Sequence, residues 1–294
     1  MSKLLKDSLN ARAELVEKAL SERLSQSPAE EPLRTLEVAV KYGALGRGKR
    51  IRPFLLIEAA TLVGASATMA MPAACAIEMV HAYSLIHDDL PAMDDSDERR
   101  GQPSVHKAFD EAIAILAGDG LLTDAFAVLT DGTYPPNVAA ELVHSLALAA
   151  GSQGMVGGQM MDLYPPDMSE EAIIAIQERK TGALIEAAVQ MGGIVGGADT
   201  ATCIALKRYA QAVGLAFQIV DDVLDVTQPA EVLGKPAGAD DAAGKATFVS
   251  LLGLEGARGR ITKLTEEAHD ALAPFGDRAA LLKELATNLA ERTH

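Results

Sequence analysis

Two apolar helical runs, each ending in a cluster of aspartates, constrain this chain more than any other feature. The first passes through Ile77, Val80, Leu85 and Ile86 into Asp88 and Asp89, with Asp94, Asp95, Asp97 and Glu98 close behind. Pro91 disfavours helix at Leu90 and ends or distorts the run there. Carboxylates near a helix C-terminus meet the partial negative charge of the last carbonyls, so the cluster needs full solvation or a cation. Mg²⁺ suits it, being commonly held by one or two carboxylates, several waters and substrate phosphates. The second run, LAFQIVDDVLD from Leu215 to Asp225, repeats the device before Thr227 and Pro229. Asp221 and Asp225 are four apart and share a helix face, with Asp222 turned about a quarter of the way round. The two acidic ends are expected to face each other across a cavity.

Helical periodicity covers nearly all of the sequence, predicting helices over 3–25, 32–43, 50–64, 70–90, 109–130, 136–151, 153–163, 169–195, 199–226, 244–272 and 276–291. The breaks fall at Gly and Pro clusters such as DGTYPPN, LYPPDM, GGADT and APFGD. Strictly alternating β-branched runs are missing, which argues against a sheet. A hydrophobic content of 49% is enough for a sizeable core, and no linker or composition break divides the 294 residues. The fold class read from this is all-α, one large helical bundle over 1–294, with the ligand site between facing helices. An amphipathic helix occupies the first 30 residues. The polar, Gly-rich segment at 227–247 reads as a mobile lid, or more plainly as a flexible surface excursion.

A formal net charge of −15 argues against nucleic acid or an anionic membrane surface as the general partner. The most apolar stretch, Leu62 to Ile77, is short and interrupted by Pro72, so no membrane span is expected. Near the N-terminus, leucines alternate with Lys, Asp and Glu, which is an amphipathic helix rather than a signal peptide. Cys75 and Cys203 are too few and too far apart for a disulfide framework or a zinc site. A reducing, cytoplasmic location is the expectation.

An acidic protein that binds anions must do so through metal ions and local basic groups. GALGRGKR at 43–50 approaches a P-loop, but Arg50 stands where Ser or Thr should be and no strand precedes it. What remains is Lys49, Arg50 and Arg52 around a helix start with Pro53 near its first turn, which suits a diphosphate or, more plainly, a solvated basic helix end. His81 lies two turns below Asp88 on the same face, although a helical His is more often a core residue. Arg99 and Arg100 could bind diphosphate oxygens bidentately or form surface ion pairs. Four glycines in GSQGMVGGQMMD predict close helix approach or ligand access, with Gln159 and Asp162 placed to point into the site. Lys180, mid-helix in KTG, is able to reach phosphate, and Lys235 and Lys245 belong to the expected lid.

In this order and spacing, GRGKRIRP, EMVHAYSLIHDDLPAMDDSDERRG, AILAGDGLLTDAF, GMVGGQMMDL, KTGALI and FQIVDDVLD, then LGKPAGAD and GKATFVSLLG, form a specific set. From about Leu33 onward the chain resembles the all-trans prenyl diphosphate synthases, and most closely the bacterial farnesyl diphosphate synthases. The resemblance implies an isoprenoid-synthase bundle around a deep central cavity, normally a homodimer. It also implies head-to-tail elongation: an allylic diphosphate (dimethylallyl, then geranyl) ionises, the cation alkylates isopentenyl diphosphate, and loss of a proton leaves a chain five carbons longer. Three Mg²⁺ ions would be held by Asp88, Asp94 and Asp221, with Asp89, Asp222 and Asp225 supporting. Asp94 cannot share the face of Asp88 in an unbroken helix, so the Pro91 distortion is needed. Arg99, Lys180, Thr181, Gln218, Lys235 and Lys245 would bind the allylic diphosphate. Lys49, Arg52, His81 and Arg100 match the isopentenyl diphosphate site. Released diphosphate can take the proton.

Tyr83 and Ser84, the fifth and fourth residues before Asp88, match the chain-length floor of the bacterial farnesyl enzymes. By helix geometry Ser84 faces the metal column better, so the aromatic floor is carried by the resemblance. A geranylgeranyl or geranyl diphosphate synthase would keep the same site with a different floor. A terpene cyclase typically has Asn/Asp, Ser/Thr and Glu in its second motif, and DDVLD favours elongation instead. Outside enzymes, a non-catalytic helical regulatory subunit is the alternative.

Overall fold

The computed structural model describes residues 1–25, 30–46, 48–167, 169–228 and 247–291. The predicted lid therefore falls almost wholly outside the described residues, Lys235 and Lys245 included. The bundle is assembled around α4 (Ala67–Asp88), whose buried positions run from Ala70 to Ile86. It packs against α1 (Lys3–Arg23), α2 (Leu33–Ala44), α3 (Ile51–Leu62), α6 (Glu111–Leu129), α7 (Pro136–Ala150) and α10 (Ala183–Gly196), and α10 in turn packs on α3. An almost unbroken apolar sequence is what a helix covered on all sides requires. Ser66 starts α4 by accepting the Met69 N–H at 3.2 Å.

Pro72, inside α4, removes one backbone donor. One step further on, the Tyr134 hydroxyl is inserted into the ladder, donating to the Met69 carbonyl at 2.8 Å and accepting from the Ala73 N–H at 3.2 Å. A distant side chain thus satisfies the backbone that the proline disturbs. On the other flank, α11 (Thr200–Thr227) lies against α12 (Phe248–Ala271) and α13 (Ala280–Glu291). The buried Tyr209 hydroxyl donates to the Leu282 carbonyl at 2.9 Å, and His269 reaches the Lys283 carbonyl at 3.1 Å. The first bond ties α13 to α11, and the second ties α13 to α12.

The structure departs from the predicted helices in a few places. The single helix over 169–195 is divided into α9 (Glu170–Gln177), a π-helical turn (Glu178–Gly182) and α10. The helix over 276–291 begins as a 3₁₀ segment (Ala273–Ala279) before α13. A minimal antiparallel hairpin, β1 (Glu98–Arg99) with β2 (Gln102–Pro103), forms where no sheet was expected, followed by the one-turn α5 (Val105–Ala108). Its turn is Arg100-Gly101, both at positive φ, as tight two-residue hairpins of the I′ type demand. Among the described residues two helices, α4 and α6, are long and apolar enough to cross a membrane by length and composition. The apolar character of α4 is accounted for by its burial inside the bundle.

Candidate active site

Helix α4 ends where the first aspartates begin, with Asp89 as its C-cap residue. The chain then folds back on the helix end. Asp94 N–H donates to the Asp88 carbonyl at 2.8 Å, Asp95 N–H to Leu90 at 3.1 Å and Ser96 N–H to Asp89 at 3.1 Å. These bonds satisfy carbonyls that a helix end leaves open, and they bring Asp94 back beside Asp88, as the Pro91 argument required. Asp89, only 2% exposed, turns away from the cavity and accepts a bidentate ion pair from Arg99 at 2.6–3.0 Å. Arg99, expected on the allylic diphosphate, is in this structure engaged by Asp89.

Asp88 lines a cavity of about 410 Å³ together with Tyr83, Ser84, Gln159, Lys180 and Thr181. Burial pushes its carboxyl up to about 6; Lys180 opposes the rise, Asp94 adds to it, Arg99 opposes it and Asp89 adds to it. Asp88 is therefore a carboxylate whose charge is poorly solvated. Together with Asp94 it offers only oxygen donors, the hard ligand class that Mg²⁺ prefers. The residues fit that ion. Asp95, Asp97 and His106 place ligand atoms within 4.8 Å of one another further along the loop, but Asp97 already holds Lys107 at 2.8 Å.

The second cluster sits on unbroken helix. Asp221 is exposed and lines a cavity of about 740 Å³ with Lys49 and Phe217. Asp222 is turned inward and accepts the Phe248 N–H, at the first residue of α12, at 2.8 Å. Asp225, predicted to share the face of Asp221, is 3% exposed and lies under cover. The two lie one turn apart on the continuous helix and differ in exposure.

Between the acidic ends stands a basic wall. Gly48, Lys49, Arg52, His81, Arg100 and Gln218 line a cavity of about 570 Å³, which also reaches Thr181. It shares Lys49 and Phe217 with the 740 Å³ cavity, and Arg52, His81 and Thr181 with the one below Asp88. Burial and Arg100 lower the pKa of Arg52, against the pull of Glu78 and Asp221, and its Nε is buried without a hydrogen-bond partner among the described residues. Burial, then Arg52, Arg100, Arg50 and Arg99, hold His81 well below its ordinary 6.5. That direction favours the neutral imidazole, and the guanidinium groups around it make the wall strongly basic.

Arg50 also borders that space, together with Glu78, but its guanidinium is committed elsewhere. It starts α3 at φ 48°, and its buried guanidinium is paired with Glu17 of α1 and Glu78 of α4. It also donates to the Ala44 carbonyl at 2.8 Å and the Gly46 carbonyl at 3.0 Å. The anchor fixes the chain between Lys49 and Arg52. Sequence reasoning missed it, although Glu78, a lone charge in an apolar helix, was the available signal.

Lys180 and Thr181 come from the π-helical turn, whose widened backbone pushes them toward the cavity. Lys180 Nζ donates to Asp162 of α8 (Met155–Leu163) at 2.6 Å. A Cβ on Gly158 would lie 2.2 Å from the Lys180 backbone nitrogen, so this glycine is what permits α8 to touch the turn. Gln159 lines the cavity with both of its amide atoms buried.

The profile of the polyprenyl synthetase family matches residues 34–275. Geranylgeranyl pyrophosphate synthase 11, chloroplastic, of Arabidopsis thaliana is 47% identical over 290 residues, covering 96% of this chain and 80% of its own length. Among solved structures, an FPP/GFPP synthase from Zymomonas mobilis superposes with a TM-score of 0.88 at 40% identity, covering 99% of this chain and 100% of that one. A geranyltransferase from Legionella pneumophila gives 0.88 at 35% identity, covering 99% and 98%. With acidic helix ends, a basic wall and one connected set of cavities in place, the chain belongs to the polyprenyl synthetase family, as a trans-prenyl diphosphate synthase.

Proposed function

We propose that this synthase makes farnesyl diphosphate by adding isopentenyl diphosphate to dimethylallyl and then geranyl diphosphate. The observation that carries the product length is Tyr83, which is 5% exposed yet lines the cavity directly below Asp88. Asp88, Asp94 and Asp221 would hold three Mg²⁺ ions, with Asp89, Asp222 and Asp225 behind them. Bound there, the ions supply the positive charge on which a diphosphate leaving group departs. Lys180, Thr181 and Gln218 orient the allylic diphosphate. Lys235 and Lys245 are assigned to the same group from the sequence alone, and Arg99 joins it only by releasing Asp89. Lys49, Arg52, Arg100 and neutral His81 hold isopentenyl diphosphate. The apolar walls keep water from the cation.

The exposed apolar side chains of α6, Ile115 at 44% and Leu116 at 54%, favour a homodimer that covers this helix. A single-chain mass in light scattering would contradict it.

The product is tested by mass spectrometry after incubating the protein with dimethylallyl and isopentenyl diphosphates and Mg²⁺. A fifteen-carbon diphosphate is expected. A twenty-carbon product would replace this reading by the second one, geranylgeranyl diphosphate synthesis, which the 47% identical plant relative favours. Absence of any elongation would overturn both.

A further inference from the structure

The floor of the cavity below Asp88 contains a contact that the sequence did not single out. His87, the residue before Asp88, lines that cavity and meets Tyr83 edge-on, with ring centroids 5.7 Å apart and planes at 83°. The two are four apart on α4 and share one face. The imidazole nevertheless leans toward the neighbouring helix, where its Nε2–H donates to the Ile115 carbonyl at 3.1 Å. It can do so because α6 carries Gly118 there. A Cβ at Gly118 would stand 2.1 Å from His87 Nε2, 2.5 Å from Cδ2 and 2.9 Å from Cε1. Three ring atoms would be overlapped at once, so a small rotation does not relieve the clash.

We propose that Gly118 is a specificity-determining residue for product length, acting through His87: its missing side chain lets the imidazole dock on α6, which keeps the ring out of the space the growing chain fills. The inference rests on the reading that the chain grows into the cavity below Asp88. With a methyl at position 118 the ring must give up the Ile115 carbonyl. The open direction is then the cavity it shares with Tyr83, Ser84 and Gln159. Space is lost beneath the first five-carbon units, whereas Asp88, Lys180 and the basic wall stay where they are. The variant should still use dimethylallyl diphosphate and resist elongating the longer geranyl starter.

The test compares wild type, Gly118→Ala, His87→Ala and the double variant Gly118→Ala/His87→Ala. Product distribution and kcat/KM for dimethylallyl against geranyl diphosphate are read for each, with melting temperature as a control. For Gly118→Ala, the geranyl-to-dimethylallyl ratio of kcat/KM is expected to fall about tenfold, the scale on which one methyl group discriminates in an apolar pocket, and the ten-carbon product to accumulate. His87→Ala is expected to shift products toward greater length, and the double variant to regain at least the wild-type length. Unchanged products in Gly118→Ala would overturn the inference. A double variant as short as Gly118→Ala would also overturn it, because the methyl would then act without the ring. Should Gly118→Ala fail to fold, unchanged products in His87→Ala would overturn the role of the ring. Wild-type protein that elongates nothing would instead overturn the underlying reading of the cavity, and the inference with it.

Discussion

The two aspartate clusters look alike in the sequence and are built differently. Each begins with an adjacent pair, and in each pair one carboxylate faces the cavity while the other turns inward. Asp88 and Asp221 line cavities; Asp89 holds Arg99, and Asp222 holds the N–H at the start of α12. The first cluster needs a helix that stops and a loop that returns, so its anchor is a charged side chain reaching back from β1. The second lies on an unbroken helix, so its anchor is the N-terminus of α12, where a carboxylate is favoured. In each pair one carboxylate borders a cavity while its neighbour braces the backbone or an ion pair, so neighbours in sequence carry different duties.

That division can be broken by experiment. The largest effect expected is from removing the divalent ion: EDTA should abolish elongation and added Mg²⁺ restore it, while persistent turnover would remove the reason for both clusters. Next comes the second pair taken singly. Asp221→Asn should lower turnover about a thousandfold, the scale of losing one preorganised electrostatic contact in the transition state, with little change in melting temperature. Asp222→Ala should instead lose about 2 kcal/mol of stability, because it strips a charge-assisted bond from a buried N–H. Urea unfolding separates the two, and equal effects in both variants would erase the distinction.

A smaller change is expected below the first cluster. Tyr83→Ala should deepen the cavity and give products of twenty carbons or more, as read by mass spectrometry. An unchanged product would dismiss Tyr83 as the floor and leave the length to other walls.

The smallest effect concerns pH and the basic wall. His81 titrates well below 6.5 in the folded protein, so below that pH the unfolded chain binds the extra proton. Stability attributable to His81 is therefore complete above pH 6.5 and declines as the pH falls from there toward the folded value. The limiting slope is about 1.4 kcal/mol per pH unit. Asp88, whose carboxyl is raised to about 6, contributes with the opposite sign in the same range, so the comparison must be with His81→Gln. The variant should lose less stability than wild type between pH 6.5 and 5. Parallel curves would mean that His81 is not held neutral.

Local signals carried the helical architecture and both aspartate motifs, because period, Pro91 and the DD pairs are written within a few residues of the structures they set. The loop that returns Asp94 to Asp88 was legible from spacing and a proline. Arg50 was not, because its partners Glu17 and Glu78 lie about thirty residues away on either side. The patch of Tyr134 on Pro72 spans 61 residues between Tyr134 and Ala73, and nothing near either end announces it. Helical periodicity did not distinguish a π turn from an α-helix in ERKTG, since the residues keep their apolar neighbours while the backbone widens by a single position. The different exposure of Asp221 and Asp225 was not legible, because a helix wheel fixes angles, not what covers them.

The most direct measurement sets Asp88→Asn beside Asp89→Asn, reading turnover at saturating Mg²⁺ and unfolding free energy on the same preparations. The division of labour predicts that Asp88→Asn loses about a thousandfold in turnover and keeps its stability. Asp89→Asn should lose about 2 kcal/mol of stability, the scale of a hydrogen bond to a charged group, as Arg99 is left without its charge partner, with the smaller loss of turnover. Equal losses of turnover in the two variants, with stability untouched in both, would contradict the account.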